Sequence, residues 1–174
     1  MKDLNFVSVD IEADGPVPGL YSMVSFGAVV ATPPFDDSFY CELKPISDQY
    51  IPDALKVCGF TRDETLKFTE AEIQMARFEA WLDDLKLRKS YPIFIADNNG
   101  FDWQFINYYF HKFVGRNPFG YSSWNLNSFY KGLEKNVRAK FKQFRVTKHT
   151  HNALDDAIGN AEALHKILTI NGLR

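Results

Sequence analysis

Residues 6–11, Phe-Val-Ser-Val-Asp-Ile, alternate apolar and polar positions and predict a first strand. The apolar run ending Phe26-Gly27-Ala28-Val29-Val30 predicts a second strand over 22–30. Asp14-Gly15-Pro16-Val17-Pro18-Gly19 between them is rich in turn formers, so the two strands are expected to form a hairpin. A third strand is expected over 38–44, where Phe39, Cys41 and Leu43 alternate with Tyr40, Glu42 and Lys44. Residues 45–68 carry mixed signals and predict loops with a short helix near 53–58. Thr69-Glu70-Ala71-Glu72 then reads as a helix start with acids in its first turn. Ile73, Ala76, Phe78, Ala80, Trp81, Leu82 and Leu85 supply its apolar positions through Leu87. Tyr91-Pro92-Ile93-Phe94-Ile95-Ala96 is apolar enough for a strand covered on both faces, as parallel strands usually are. Helices are expected over 101–114 and within 123–133, followed by a basic connector over 138–147. A closing helix over 153–170 carries the stripe Leu154, Ala157, Ile158, Ala161, Leu164 and Leu168. This order gives an α/β sandwich around a mixed sheet.

The chain has 174 residues, enough for one sizeable core, so residues 1–174 are expected to form a single domain. With 45% hydrophobic and 24% charged residues it is an ordinary globular composition, which excludes wholesale disorder, collagen-like repeats and coiled coil. No apolar run reaches the roughly 18 residues of a membrane span, and the first residues lack the pattern of a signal peptide, so a cytoplasmic location without membrane contact is expected. Cys41 and Cys58 are too few and too far apart for a disulfide framework or a CxxC zinc site, and are expected to be reduced structural thiols. The net charge of −2 conceals an asymmetry: seven basic residues against one acid, Glu134, lie between Lys131 and His149. A basic stretch within an acidic body suits a polyanion held beside metal-binding carboxylates.

Strand residues two apart share a face, so Asp10 and Glu12 project together from the end of the first strand, in line with Phe6 and Ser8. Paired carboxylates repel and desolvate each other unless a cation neutralises them, which points to a metal; alone, the pair fits a solvated strand end better. Asp97-Asn98-Asn99-Gly100-Phe101-Asp102 follows the strand at 91–96 and puts Asp102 in the first turn of a helix, where an acid also complements the helix dipole. His151-Asn152-Ala153-Leu154-Asp155-Asp156 sets a histidine just before the closing helix. The apolar stripe leaves both Asp155 and Asp156 off the core face, so helical geometry does not choose between them.

Together, Asp10-x-Glu12, Phe101-Asp102 and His151-x4-Asp156 resemble, in order, the three motifs of the DEDDh (DnaQ-like) family of 3′–5′ exonucleases. The resemblance spans the chain from Asp10 to Asp156. It implies a ribonuclease H-like mixed sheet, antiparallel hairpin strands plus parallel strands, flanked by helices. It further implies that Asp10, Glu12, Asp102 and Asp156 bind two divalent cations, that family spacing selects Asp156 over Asp155, and that His151 is the general base. Oxygen-only ligands suit Mg²⁺ or Mn²⁺, and two such ions can activate water and stabilise a leaving oxygen. Two positions depart from the family: Asp97 stands where it usually has histidine, and Asp14 where it has threonine. Each is expected as an exposed turn residue or a contact to a ribose hydroxyl.

The substrate would be the 3′ end of single-stranded RNA or DNA, gripped by stacking and a cationic path. Trp103 is the expected exposed stacking residue, and Arg138, Lys140, Lys142, Arg145 and Lys148 are the expected phosphate contacts; a solvated basic loop is the alternative. The small size resembles the stand-alone exoribonucleases of this family, which favours RNA and adds the expectation of a homodimer. Two other classes compete: a metal-dependent small-nucleotide hydrolase or phosphatase, which needs the same acids, and a non-catalytic nucleic-acid-binding module, which does not.

Overall fold

The computed structural model describes residues 5–88 and 91–173. Its elements run β1 (Asn5–Ala13), β2 (Met23–Val30), β3 (Ser38–Glu42), α1 (Pro52–Cys58), α2 (Arg62–Thr65), α3 (Ala71–Arg88), β4 (Pro92–Ala96), α4 (Asn99–Phe113), β5 (Ser123–Asn125), α5 (Leu126–Leu133) and α6 (Ala153–Ile170), with a 3-10 turn over Lys142–Phe144 before α6. One five-stranded sheet has the order β3-β2-β1-β4-β5. The hairpin pairs β1 and β2 antiparallel with Asp10 opposite Gly27, and β3 extends it antiparallel on β2. On the other side β4 lies parallel to β1 and β5 parallel to β4. This is the expected ribonuclease H-like mixed sheet flanked by helices.

Central β1 is covered on both faces, and its alternation sorts the two cores. Val7, Val9 and Ile11 pack with Phe26, Phe78, Phe94, Phe105 and Tyr109 under α3 and α4. Phe6 packs on the opposite face with Leu126, Phe141, Leu164 and Ile167 under α5 and α6. Phe6, Ser8, Asp10 and Glu12 alternate onto that second face, so the acids point toward α6. The register slips between Glu12 and Ala13, where a bulge ends the regular ladder beside the acids.

The helix expected within 123–133 is α5, and residues 123–125 ahead of it form β5, a strand too short to show a period. Three local readings change. In α3, Ile73 is 53% exposed while Met75 is fully buried, because the inward face runs Ala71, Met75, Phe78, Leu82, Leu85. In α6, the expected Ala157, Ala161 and Leu164 are fully buried but Leu154, Ile158 and Leu168 are only half-buried, and Ala153 and Ala163 add to a sheet-facing surface rich in small residues. Close approach requires those small side chains: a Cβ on Gly27 would lie 2.5 Å from the Leu154 Cα. The supposed exposed turn residue Asp14 is fully buried, its Oδ1 accepting from Ser22 N at 2.5 Å and its Oδ2 paired with Arg62 at 3.0 Å. Arg62 also donates to the Ser47 carbonyl at 2.6 Å, so the pair staples the β1–β2 turn to the segment before α1 and to α2. Among the described residues no helix is long and apolar enough to cross a membrane.

Candidate active site

Three chain segments deliver carboxylates to the end of β1. Asp10 and Glu12 come from the strand, and Asp156 comes from the first turns of α6, whose start is fixed by the Asn152 side chain accepting from the backbone N–H groups of Leu154 and Asp155. One oxygen from each of Asp10, Glu12 and Asp156 can be chosen so that all lie within 4.8 Å of one another. Asp102, in the first turn of α4, is 3% exposed, and its Oδ1 accepts from the Ile11 backbone N–H at 3.2 Å, between the two β1 acids.

Packing these groups together makes their ionisation costly. Burial pushes the Asp10 carboxyl well above the usual range, and Asp102, Asp156 and Glu12 add repulsion, opposed by the Arg145 charge. Burial drives Glu12 up to about 7, against a hydrogen bond from Cys58, with Asp156 adding to the rise. Asp102 is pushed up to about 8, chiefly by burial, with the Ile11 hydrogen bond opposing and Asp97 reinforcing. Such an oxygen-only, mutually destabilised set fits hard divalent cations, which would remove both burdens at once.

Asp156 is 1% exposed, whereas Asp155 is half-buried and accepts from the Thr150 hydroxyl at 3.0 Å; Asp156 is therefore the acid that joins Asp10 and Glu12. His151 is exposed and adopts φ 59°, and its backbone N–H donates to Asp156 Oδ2 at 3.1 Å. Its side chain borders a cleft of about 280 Å³ shared with Ser25, Tyr40, Cys58 and Phe60. Sequence reading missed His149, whose Nδ1 lies 2.7 Å from Asp156 Oδ1 and whose ring meets His151 edge-on at 4.2 Å. It also missed the Cys58 thiol beside Glu12, since nothing in the spacing of α1 points at β1.

The expected substrate contacts divide. Arg138, Lys140 and Lys148 are exposed, and Lys142, also exposed, pairs with half-buried Asp97 at 3.0 Å at the rim of the site. Arg145 is buried rather than exposed with the others: its side chain is 6% exposed and its Nη2 donates to Asp156 Oδ1 at 2.6 Å. Trp103 is not an exposed platform either, because its ring is half-buried and sits edge-on to Phe94 at 5.0 Å, on the α3–α4 face of the sheet.

No family model matches the chain. A 3′–5′ DNA exonuclease of Escherichia coli, Cap18, is 37% identical over 161 residues, which cover 92% of this chain and 84% of the relative. Among solved structures, the nuclease domain of 3′hExo, a DEDDh family member bound to rAMP, superposes with a TM-score of 0.79 at 18% identity, covering 100% of this chain and 98% of that one. Cell-death related nuclease 4 superposes at 0.75 with 16% identity, covering 95% and 64%. Escherichia coli exonuclease I in complex with a dT13 oligonucleotide gives 0.74 at 16% identity, covering 96% of this chain but only 41% of its own.

Proposed function

The chain belongs to the DEDDh family of 3′–5′ exonucleases, and from that membership we propose that it shortens single-stranded DNA from the 3′ end, releasing nucleoside 5′-monophosphates. The observation that carries the reading is the convergence of Asp10, Glu12 and Asp156 oxygens within 4.8 Å, with Asp102 bonded to the intervening backbone. In this reading residues 1–174 are one catalytic domain, and the four acids hold two divalent cations, Mg²⁺ or Mn²⁺. When bound, those ions supply Lewis acidity at the scissile phosphate and lower the cost of deprotonating the attacking water.

The protein's own groups do the rest. Asp10, Glu12, Asp102 and Asp156 stand on a strand and two helix starts, so the ligands that would place the cations against the reacting phosphate are held by regular elements. His151, exposed beside the cleft, takes the proton as water forms the new P–O bond. The P–O3′ bond breaks with its electron pair on O3′, which takes a proton from solvent water, so the shortened strand ends in a 3′-hydroxyl. Arg138, Lys140, Lys142 and Lys148 attract the backbone along the rim.

Chain size alone favoured RNA; here DNA is placed first because the relative at 37% identity is a DNA exonuclease. RNA remains the second reading because the nuclease domain of 3′hExo holds rAMP. A homodimer is a further proposal, and light scattering that shows only monomer removes it. The test is to incubate the protein with 5′-labelled single-stranded DNA and RNA of one sequence, with Mg²⁺, Mn²⁺ or EDTA, beside Asp102→Asn. A metal-dependent ladder receding from the 3′ end, abolished in Asp102→Asn with folding intact, is expected. No cleavage of either strand by folded, metal-loaded protein would move the assignment to a small-nucleotide hydrolase or a binding module.

A further inference from the structure

Asp156 is held by more than its place on α6. Oδ1 takes Arg145 Nη2 at 2.6 Å and faces His149 Nδ1 at 2.7 Å, while Oδ2 takes the His151 backbone N–H at 3.1 Å. Arg145 reaches this carboxylate through a prepared notch. Gly159 lies one turn along α6, and a Cβ there would fall within 2.7 Å of the guanidinium carbon, so glycine makes the room. Nε of Arg145 donates to the Thr147 carbonyl at 3.3 Å. The segment is anchored in turn by Glu162, which accepts from Val146 N at 2.8 Å, Thr147 N at 2.7 Å and the Thr147 hydroxyl at 3.0 Å.

An arginine does not shed its charge on burial, so this cation is permanent. It lies against the same acid set that a divalent metal would use, where like charges sit close together and screening is weak. A metal at Asp10, Glu12 and Asp156 must therefore share Asp156 with the guanidinium or displace it. Resting on the exonuclease reading, we propose that Arg145 is a tethered counter-ion of the acid cluster: a positioning residue that holds Asp156 in place and competes with divalent metal for its oxygens.

The competition is reciprocal, so weakening the arginine's hold must tighten metal binding. Two variants reach it independently. Arg145→Gln removes the charge, and Gly159→Ala fills the notch and drives the guanidinium off Asp156 with every charge kept. Mn²⁺ binding by calorimetry is expected to tighten about five-fold or more in Arg145→Gln and by less in Gly159→Ala, with Arg145→Lys between Arg145→Gln and wild type. Arg145→Gln should melt below wild type in EDTA and recover in saturating Mn²⁺. Unchanged or weaker Mn²⁺ binding in both Arg145→Gln and Gly159→Ala, or equal melting losses with and without metal, would overturn the proposal and leave Arg145 a plain structural anchor. The wild type is scored for strand shortening on the same preparations. If it binds Mn²⁺ but shortens no strand, the exonuclease reading falls while the Arg145 comparison still decides the counter-ion. If it shortens strands and the variants bind Mn²⁺ as it does, the counter-ion alone falls.

Discussion

Gly27→Ala isolates the coupling between the sheet and the helix that carries Asp156. Gly27 sits opposite Asp10 in the β1–β2 ladder, on the face where α6 begins. Its backbone is ordinary strand, so alanine meets no conformational penalty and the whole effect is steric. The added Cβ would lie 2.5 Å from the Leu154 Cα and 2.6 Å from both the Leu154 N and the Ala153 carbonyl oxygen. All three are backbone atoms and cannot rotate away. Non-bonded carbons rest near about 3.5–4.0 Å, so the start of α6 must retreat by about 1 Å. Overpacking of this kind costs about 1–3 kcal/mol, or roughly 3–10 °C in Tm for a chain of this size. Asp156 lies two residues beyond Leu154, and a misplacement of about 1 Å among catalytic groups can cost on the order of a hundred-fold in rate. Thermal melts and strand-shortening rates should both fall, the rate further than the melt explains. Gly132→Ala is the control: it lies in α5 with nothing within 4 Å of its Cβ, and should be neutral or stabilising by about 0.4–1 kcal/mol. An unchanged melting point and rate in Gly27→Ala would refute the reasoning.

Two further outcomes follow from buried charge. Glu12 titrates near 7 and Asp102 near 8 in the folded protein, both above their ordinary values of 4.5 and 3.8. Folded protein therefore holds protons that the unfolded chain has released, so the contribution of these two acids to stability in EDTA is fully present below about pH 4 and is lost as pH rises through about 8. Saturating Mg²⁺ or Mn²⁺ should raise the Tm more at pH 8 than at pH 5.5, and a Tm in EDTA that stays flat across that range would contradict the assignment of buried acids. Separately, Arg62→Ala strands the fully buried Asp14 carboxylate, and urea unfolding should show a loss of about 3–5 kcal/mol. Adding Asp14→Asn should recover part of that loss; a single-mutant cost below about 1 kcal/mol would show that the pair is no staple.

The elements that sequence read well were those with a period long enough to register. β1, β2, β4 and α4 declare themselves because alternation, an apolar run or helical spacing persists across the element, and in α4 Phe105, Ile106, Tyr109 and Phe110 are all fully buried. β5 offered three residues, too few for any period. In α6 the stripe residues Ala157, Ala161 and Leu164 are buried as expected, whereas Leu154, Ile158 and Leu168 are not, for a different reason. Hydropathy ranks side chains by size and polarity, whereas a helix pressed onto Gly27 selects for small ones, so alanines took the inward positions and Leu154 and Ile158 were turned aside.

The same distinction explains which parts of the site were legible. Asp10, Glu12 and Asp156 were found through the family's motif spacing, and in the fold β1 and α6 match in step: two strand residues advance about 6.6 Å and four helical residues about 6 Å. Asp156 beside Asp10 thus implies Leu164, two helical turns on, near the level of Phe6, and Leu164 and Phe6 do share a core cluster. One pair of periods fixes both the acid set and the apolar packing that holds it. Arg145, His149, Cys58 and the Asp14–Arg62 staple belong to no period. Arg145 stands in an irregular segment and is aimed by a glycine notch and by Glu162, partners 14 and 17 residues away that form a receptor only once α6 has wound. Charge composition assigned that arginine to a solvated phosphate path, since on sequence alone it is one cation among seven. Its neighbours Lys142 and Lys148 are exposed as that assignment requires, so burial, which only the folded helix creates, separates the residue that holds Asp156 from those free to attract a strand.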